Sequence, residues 1–264
     1  MVTSYRQNLK QSISTLIISL LGVVAIGALQ LPQLNKLSDS ANSVAKLNRQ
    51  VESEKLRLNL LEKLPSFGFS NLVADWLFLN FLQYFGDEPA RAKTSFKLSP
   101  EYFEVIFRRD PYFLRAYNFL SISTTLYSGM PEKTVGLMEE GLKHMSPKVP
   151  SKSYYLWRYK GIDELLFVGK AQAAKKSFET AAQWASNYSD AESKNVVNIS
   201  RQTAKLIEKN PESKSAQISA WSMVLNSAFD DNTRKLAINR IRALGGKISI
   251  TPQGEVRIIL PKKD

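Results

Sequence analysis

Few side chains in this sequence could carry chemistry. It contains no cysteine and one histidine, His144, among 264 residues. The chain therefore has no disulfide framework, no thiolate nucleophile and no zinc site built from several histidines. The carboxylate pairs Glu139–Glu140 and Asp163–Glu164 are adjacent in sequence, and adjacent residues of a helix point in different directions. We expect neither catalysis nor a bound metal or cofactor.

Two isolated ionisable residues, His144 and Asp75, are candidate sites. His144 is predicted near the last turn of a helix, where it opposes the helix dipole, and we interpret it as structural. Asp75 is the one charge between Phe67 and Gly86. Because an unpaired buried carboxylate costs several kcal/mol, Asp75 must pair, become protonated or face water. We expect a buried charge paired with Arg108 or Arg115; the alternatives are a second membrane span and a proton-linked or ligand-binding role.

The net charge of +12 is spread unevenly along the chain. Residues 1–60 carry +4, residues 61–150 are neutral and residues 151–264 carry +8. Such a balance raises nucleic acid or anionic lipid as a partner, with a solvated basic face as the alternative. The basic C-terminal third lacks a recognisable recognition module, so nucleic acid is disfavoured.

An apolar run near the N-terminus predicts a membrane anchor. No charge occurs in the 25 residues between Lys10 and Lys36, and residues 13–31 are long enough to cross about 30 Å of hydrocarbon as a helix. We predict a basic tail at 1–12 and a transmembrane helix at 13–31. A cleaved signal peptide is the competing interpretation, because Ala25–Gly27 has the small-x-small form of a cleavage site.

The charges that flank this run predict its orientation. Arg6 and Lys10 precede it, which favours a cytoplasmic N-terminus. The protein is then a single-pass membrane protein whose soluble domain lies outside the cytoplasm, in a periplasm or lumen. Basic residues from Lys46 to Arg57 oppose this orientation.

Residues 32–64 are predicted to form a helical stalk that Pro65 ends. A seven-residue spacing places Leu37, Val44, Val51 and Leu58 at one position. The second position of the repeat is partly polar, with Ser40 and Glu54 among its members. A homodimer through a coiled-coil stalk is therefore one interpretation, and a monomeric helix leaning on the next domain is the other.

An internal repeat of forty residues organises the body of the chain. The matched positions are Tyr117 with Trp157, Ser121 with Gly161, Leu126 with Leu166, Tyr127 with Phe167, Gly129 with Gly169, Met138 with Phe178 and Gly141 with Ala181. Each window reads as a helix, a glycine turn and a second helix. We predict three helix pairs within residues 65–188, at about 70–109, 111–146 and 152–186. The first pair is expected to contain a longer basic loop from Arg91 to Lys97.

The C-terminal part is predicted to end the helical stack. Residues 189–246 indicate helices near 190–209 and 212–228 and one more that Gly245–Gly246 terminates. Residues 247–264 change to an alternating apolar pattern around a proline–glycine turn, which predicts a β-hairpin. A small hairpin can close the open end of a helical stack.

The second window carries a family resemblance. Its Trp157, Gly161, Ala174, Phe178 and Ala181 resemble the tetratricopeptide pattern, with one extra residue in the turn and with Lys160 where the pattern has leucine. The stretches NLVADWLFLNFLQYFGDEPAR, LSPEYFEVIFRRDP and WRYKGIDELLF resemble an uncharacterised cyanobacterial family of membrane-anchored tetratricopeptide-repeat-like proteins. The resemblance implies an all-α helical-repeat solenoid, a protein-binding role and a thylakoid or plasma membrane. It implies no catalytic motif.

The resemblance also implies a binding groove. In tetratricopeptide-like stacks the first helix of each pair lines the inner groove, and its second and fifth repeat positions face it. In this sequence those positions are Arg115, Asn118, Tyr155 and Arg158. A groove with arginines would suit an acidic segment or a carboxylate terminus of a partner, whereas the alternative is an ordinary solvated face.

The leading hypothesis is a non-enzymatic, membrane-anchored scaffold or assembly factor that binds another protein, such as a subunit of a membrane complex. The alternative is a lipid-binding or small-apolar-ligand-binding protein. Its ligand would occupy an aromatic cavity around Trp76, Phe78, Tyr84, Tyr112 and Trp157.

Overall fold

A computed structural model describes residues 44–250 and 256–261. The described residues from 54 onward belong to one compact unit. The predicted tail at 1–12 and transmembrane helix at 13–31 lie outside the described residues, as does the beginning of the predicted stalk. Within the described residues, no helix is both long and apolar enough to cross a bilayer.

The described chain is mostly helical. Its first helices are α1 (Val44–Lys63), α2 (Ser70–Gly86), α3 (Glu88–Thr94), α4 (Ser99–Arg109), α5 (Leu114–Leu120) and α6 (Pro131–Leu142). The later ones are α7 (Tyr154–Asp163), α8 (Ala171–Ala185), α9 (Ala191–Lys209), α10 (Lys214–Ser227) and α11 (Asp231–Ala243). Strands β1 (Lys247–Ile250) and β2 (Val256–Ile259) pair antiparallel, with Lys247 opposite Ile259 and Ile250 opposite Val256. The helical class and the small C-terminal hairpin are thus confirmed.

Two consecutive helix pairs share an unusual local geometry. A first π-helical segment (Ser121–Tyr127) continues α5, and a second (Glu164–Val168) continues α7. Each is followed by a glycine in the left-handed region, Gly129 at φ 68° and Gly169 at φ 73°. A π-helical turn holds one residue more than an α-helical turn. The extra residue of the second window therefore lies in the π-helical segment that continues α7, and the turn that follows is not lengthened.

Small residues let the paired helices approach each other. The Phe178 ring of α8 lies against Gly161 of α7, so that a β-carbon there would be 3.3 Å from the ring. Gly141 of α6 faces Tyr117 of α5, and its β-carbon would lie 2.6 Å from Tyr117 Cζ. Tyr117 also stacks on Phe107, with ring centroids 3.7 Å apart. These contacts fix the spacing of the helices within the core.

The C-terminal half of α1 is attached to α4 by polar contacts. The Arg109 guanidinium donates to the carbonyl oxygens of Leu61, Glu62 and Leu64, which have no partner within a helix that ends there. The Tyr102 hydroxyl donates to Glu54 at 2.5 Å. The end of α1 is thereby held against the helical body.

Two predicted boundaries were wrong. The expected loop from Arg91 to Lys97 contains α3, because the Asp87 carboxylate accepts from Ala90 N at 3.2 Å and Pro89 follows in the first turn. Helix α10 begins at Lys214 and not at residue 212, because the Ser213 hydroxyl accepts from Ala216 N at 3.0 Å and caps it there.

Candidate functional site

A cavity of about 770 Å³ opens between α7, α9, α10 and strand β2. Its apolar lining consists of Ile162, Val196, Ile199, Leu206, Met223, Ile258 and Leu260. Its polar lining includes Arg158, Lys205 and Lys209, the acid Glu192, and the amides Asn195, Gln202 and Asn226. We call this cavity the Arg158 groove.

Arg158 is the polar centre of the groove. It projects from α7, and its Nε atom is buried without a hydrogen-bond partner. Among the described residues it forms no ion pair. Burial lowers the pKa of Arg158, and the neighbouring tyrosines Tyr155 and Tyr159 oppose that shift. The groove thus contains a partly desolvated guanidinium with at least one N–H group that has no acceptor.

The acid that lines the same groove, Glu192, is hydrogen-bonded to residues other than Arg158. Its carboxylate accepts hydrogen bonds from Lys152 Nζ and from the Tyr155 hydroxyl. These two hydrogen bonds hold the pKa of Glu192 below its usual value. Glu192 therefore orients Tyr155 beside Arg158 and leaves the guanidinium itself unpaired.

The remaining polar residues of the groove lie on its outer wall. Lys205 and Lys209 are exposed and lie one turn apart on α9, with Gln202 before them. An apolar floor with an unpaired arginine and two exposed lysines matches an amphipathic segment that carries acidic side chains or a terminal carboxylate.

The structure brings together two of the four residues predicted to face a groove. Tyr155 and Arg158 both line the cavity. Asn118 contacts its edge, because its side-chain amide donates to the carbonyl oxygen of the lining residue Ser227 at 3.3 Å. Arg115 is exposed and does not line the cavity.

The prediction that Asp75 is a buried charge was wrong. Asp75 is exposed, because α2 turns its Ala74, Leu77 and Phe81 to the core and places Asp75 on the opposite side. Arg108, one of its expected partners, pairs with Glu62 at 2.5 Å instead. Its carboxylate therefore needs no internal partner.

The predicted aromatic cavity was also wrong. Trp76 and Tyr112 are exposed. Phe78 packs against Phe81, Phe113 and Phe119, and Trp157 packs edge to face on Trp184. No cavity among the described residues is lined by these aromatics together; the large cavity lies elsewhere, at α9 and α10.

Sequence reasoning missed a buried ionic group between α7 and α8. Lys160 Nζ lies 2.5 Å from Glu164 Oε1 and 3.2 Å from Glu139 Oε1. Ser177 donates to the other Glu164 oxygen at 2.6 Å. The sequence did contain a signal for it. Lys160 stands where the repeat pattern has leucine, and Glu164 follows four residues later, a spacing at which opposite charges pair on a helix.

It also missed Asp163, which is fully buried. Its Oδ1 accepts from the Ser121 hydroxyl at 3.0 Å, while Oδ2 has no hydrogen-bond partner. Burial raises the pKa of Asp163 to about 8, so its carboxyl is mostly protonated at neutral pH. This residue joins the first π segment to the end of α7.

The other chemical candidates do not form a site. His144 is exposed just beyond α6. In the part of the chain that the structure describes, no three acidic or histidine side chains are placed to hold a metal ion.

No protein-family model, curated protein or solved structure matches the chain. The geometry of the Arg158 groove is therefore the feature that points to a function.

Proposed function

We propose that this protein is a non-enzymatic, membrane-anchored scaffold or assembly factor, in which a tetratricopeptide-like helical stack binds an acidic segment of another protein. The observation that carries the proposal is the unpaired, desolvated guanidinium of Arg158 above an apolar floor. The binding site is the Arg158 groove. The partner supplies a carboxylate and neighbouring apolar side chains.

The energetics of Arg158 support a charged ligand. Arg158 is half-buried. A partly desolvated charge that lacks a counterion costs stability, and a carboxylate that pairs with it recovers part of that cost. An arginine can donate two parallel hydrogen bonds to one carboxylate. The Arg158 Nε has no hydrogen-bond partner in the free protein.

The local repeat geometry supports the tetratricopeptide-like assignment. Helices α7 and α8 carry the small and aromatic residues of that pattern, with Phe178 packed against Gly161. The π segments and the turn glycines Gly129 and Gly169 recur in two successive pairs. Stacked helix pairs create the concave surfaces on which such proteins bind peptides.

The sequence supports the membrane anchor. The uncharged apolar run at 13–31 is long enough to span a bilayer, and Arg6 and Lys10 before it favour a cytoplasmic N-terminus. The proposal places the helical domain in a periplasm or lumen, beside the membrane complex that it serves.

A photocrosslinking experiment tests the groove. A benzophenone amino acid replaces Gln202, an exposed groove residue, in full-length protein expressed in its native membranes. We expect one crosslinked protein partner whose linked peptide is acidic and whose yield falls when Arg158→Gln is added. Arg115→Gln, which changes an arginine outside the groove, is the matched control. Equal yields from both variants would refute the assignment.

The volume of the groove favours a second candidate ligand, an amphipathic carboxylic acid such as a free fatty acid. A volume of about 770 Å³ is within the range of small-molecule sites. Native mass spectrometry of the detergent-solubilised protein distinguishes the two, because a retained ligand that Arg158→Gln removes would favour the small molecule.

A further inference from the structure

A surface of exposed apolar side chains lies on α1, α2 and the loop between them, away from the Arg158 groove. Its members are Leu56, Leu60, Leu64, Phe67, Phe69, Leu72, Trp76 and Leu79, and we call them the α1–α2 patch. Their exposed fractions run from 45% for Trp76 to 84% for Phe67. A contiguous apolar surface of this kind marks a site of contact with a membrane or another protein.

The two helices contribute one continuous surface. Leu56, Leu60 and Leu64 are spaced by four residues along α1, so they lie on one side of it. Leu72, Trp76 and Leu79 are spaced by four and three residues along α2, so they too lie on one side of their helix. Arg57 joins the two sides, since its guanidinium carbon lies 5.0 Å from the Trp76 ring centroid and it donates to Asn80 at 3.3 Å.

The loop presents the most prominent member of the patch. Phe67 has φ 48°, in the left-handed region that a bulky side chain rarely adopts, and Gly68 follows at φ 90°. A hydrogen bond from Phe69 N to Ser66 O, 2.8 Å long, closes this turn. Strained backbone persists where the surrounding structure enforces it, and here it holds an aromatic ring in the solvent.

A few charges lie within and beside the patch. Arg57 pairs with Glu54, and Arg108 at the neighbouring end of α4 pairs with Glu62. Asp75 lies between Leu72 and Leu79 on the exposed side of α2, and Lys63 lies near the end of α1; both are exposed. Apart from these charges, the patch consists of leucine, phenylalanine and tryptophan. These are the residues with which proteins enter the interfacial layer of a bilayer.

The position of the patch in the chain selects the lipid surface as its occupant. Leu56 follows the last residue of the apolar run, Leu31, by 25 residues. A segment tethered so near a bilayer meets its surface at a high effective concentration, so a weak interfacial contact is sufficient. We propose that the α1–α2 patch inserts Phe67 and its neighbours into the interface of the bilayer that holds the anchor. This inference rests on the proposed anchor at 13–31.

The absence of native cysteine permits a direct test by single-site labelling. Full-length Phe67→Cys and Leu72→Cys variants carry a nitroxide and are reconstituted into phosphatidylcholine–phosphatidylglycerol vesicles. Lys170→Cys, at an exposed turn before α8, is the matched control. Collision rates are measured with oxygen, which concentrates in lipid, and with a water-soluble nickel complex. Circular dichroism verifies that each variant keeps its helical content.

We expect labels at positions 67 and 72 to lose nickel collisions several-fold relative to position 170 while they gain oxygen collisions. Protein that floats with the vesicles but shows equal nickel collisions at all three positions would overturn the inference and leave the anchor intact. Labels shielded from both reagents would also overturn it, since they would indicate a protein covering the patch. Protein that fails to float with vesicles would overturn the anchor together with the inference.

Discussion

The guanidinium carbon of Arg158 lies 5.3 Å from the centroid of the Tyr155 ring. At this distance the ring's negative face offsets part of the hydration that Arg158 loses. The Tyr155 hydroxyl is in turn bound to Glu192, and Glu192 to Lys152. The side chains of α7 and α9 thus hold the arginine in place before any ligand arrives, and preorganisation of this kind reduces the cost of binding.

Replacing Asp163 with asparagine should change the pH dependence of stability. The folded pKa of about 8 exceeds the ordinary value of 3.8, so the folded protein binds this proton more tightly than the unfolded chain does. Between about pH 4 and pH 8 the group should therefore lower the free energy of unfolding by about 1.4 kcal/mol per pH unit as pH rises. Asparagine, which stays neutral, should remove this slope.

Urea unfolding of both proteins at pH 5 and pH 8 measures the effect. Asp163→Asn should be close to the parent at the lower pH and clearly more stable at the higher pH. Asp231→Asn, which changes an aspartate that is 81% exposed, serves as control and should follow the parent. Parallel pH profiles for Asp163→Asn and the parent would contradict the burial of this carboxyl.

The buried pair Lys160–Glu164 should show strong coupling in a double-mutant cycle. Lys160→Met leaves the Glu164 carboxylate buried with one hydroxyl donor, Ser177, and Glu164→Leu leaves Lys160 with the more exposed Glu139. Each single change should cost about 3 kcal/mol or more, because one buried charge loses its partner. The double variant should cost less than the sum of the two.

Thermal and urea unfolding of the four proteins provide the cycle. The salt bridge between Lys143 and Glu140, both largely exposed, is the matched comparison and should show a coupling of well under about 1 kcal/mol. Additive effects at Lys160 and Glu164 would mean that the pair does not form.

Two glycines of α6 should respond in opposite ways to alanine. A β-carbon at Gly141 would clash with the Tyr117 hydroxyl and displace its 3.1 Å hydrogen bond to the carbonyl oxygen of Pro111. We expect Gly141→Ala to destabilise the protein by about 1–3 kcal/mol. At Gly136 a β-carbon meets nothing within 4 Å, so Gly136→Ala should stabilise it by about 0.5–1 kcal/mol. Midpoints of urea unfolding decide between these signs, and stabilisation by both substitutions would contradict the packing of α5 on α6.

Local signals in the sequence were sufficient to predict most of the helices. Apolar spacing, prolines and turn glycines mark the ends of α5 to α11, and the alternation at 247–260 marks the hairpin. The π segments were not predicted, because they arise when a repeat with one extra residue must keep its packing partners in register. Helix α3 was missed because its Asp87 cap and Pro89 occur within a short, charged stretch that reads as a loop.

The site was only partly predictable for a different reason. Tyr155 and Arg158 share one helix, and the repeat pattern places them on its inner side. The opposite wall comes from α9 and α10, which lack the small-residue signature, so nothing local showed that Lys205 or Met223 would face Arg158. Asp75 was misassigned because the apolar run around it is exposed on one side, which hydrophobicity alone does not reveal.

The most direct measurement of the central claim is the affinity of the crosslinked acidic peptide for full-length protein and its two arginine variants. A charge-assisted pair with Arg158 predicts that Arg158→Gln weakens binding about 10- to 100-fold, while Arg115→Gln leaves the affinity within about twofold because Arg115 lies outside the groove. Equal affinities for the parent and Arg158→Gln would contradict the proposal that this arginine recognises the partner.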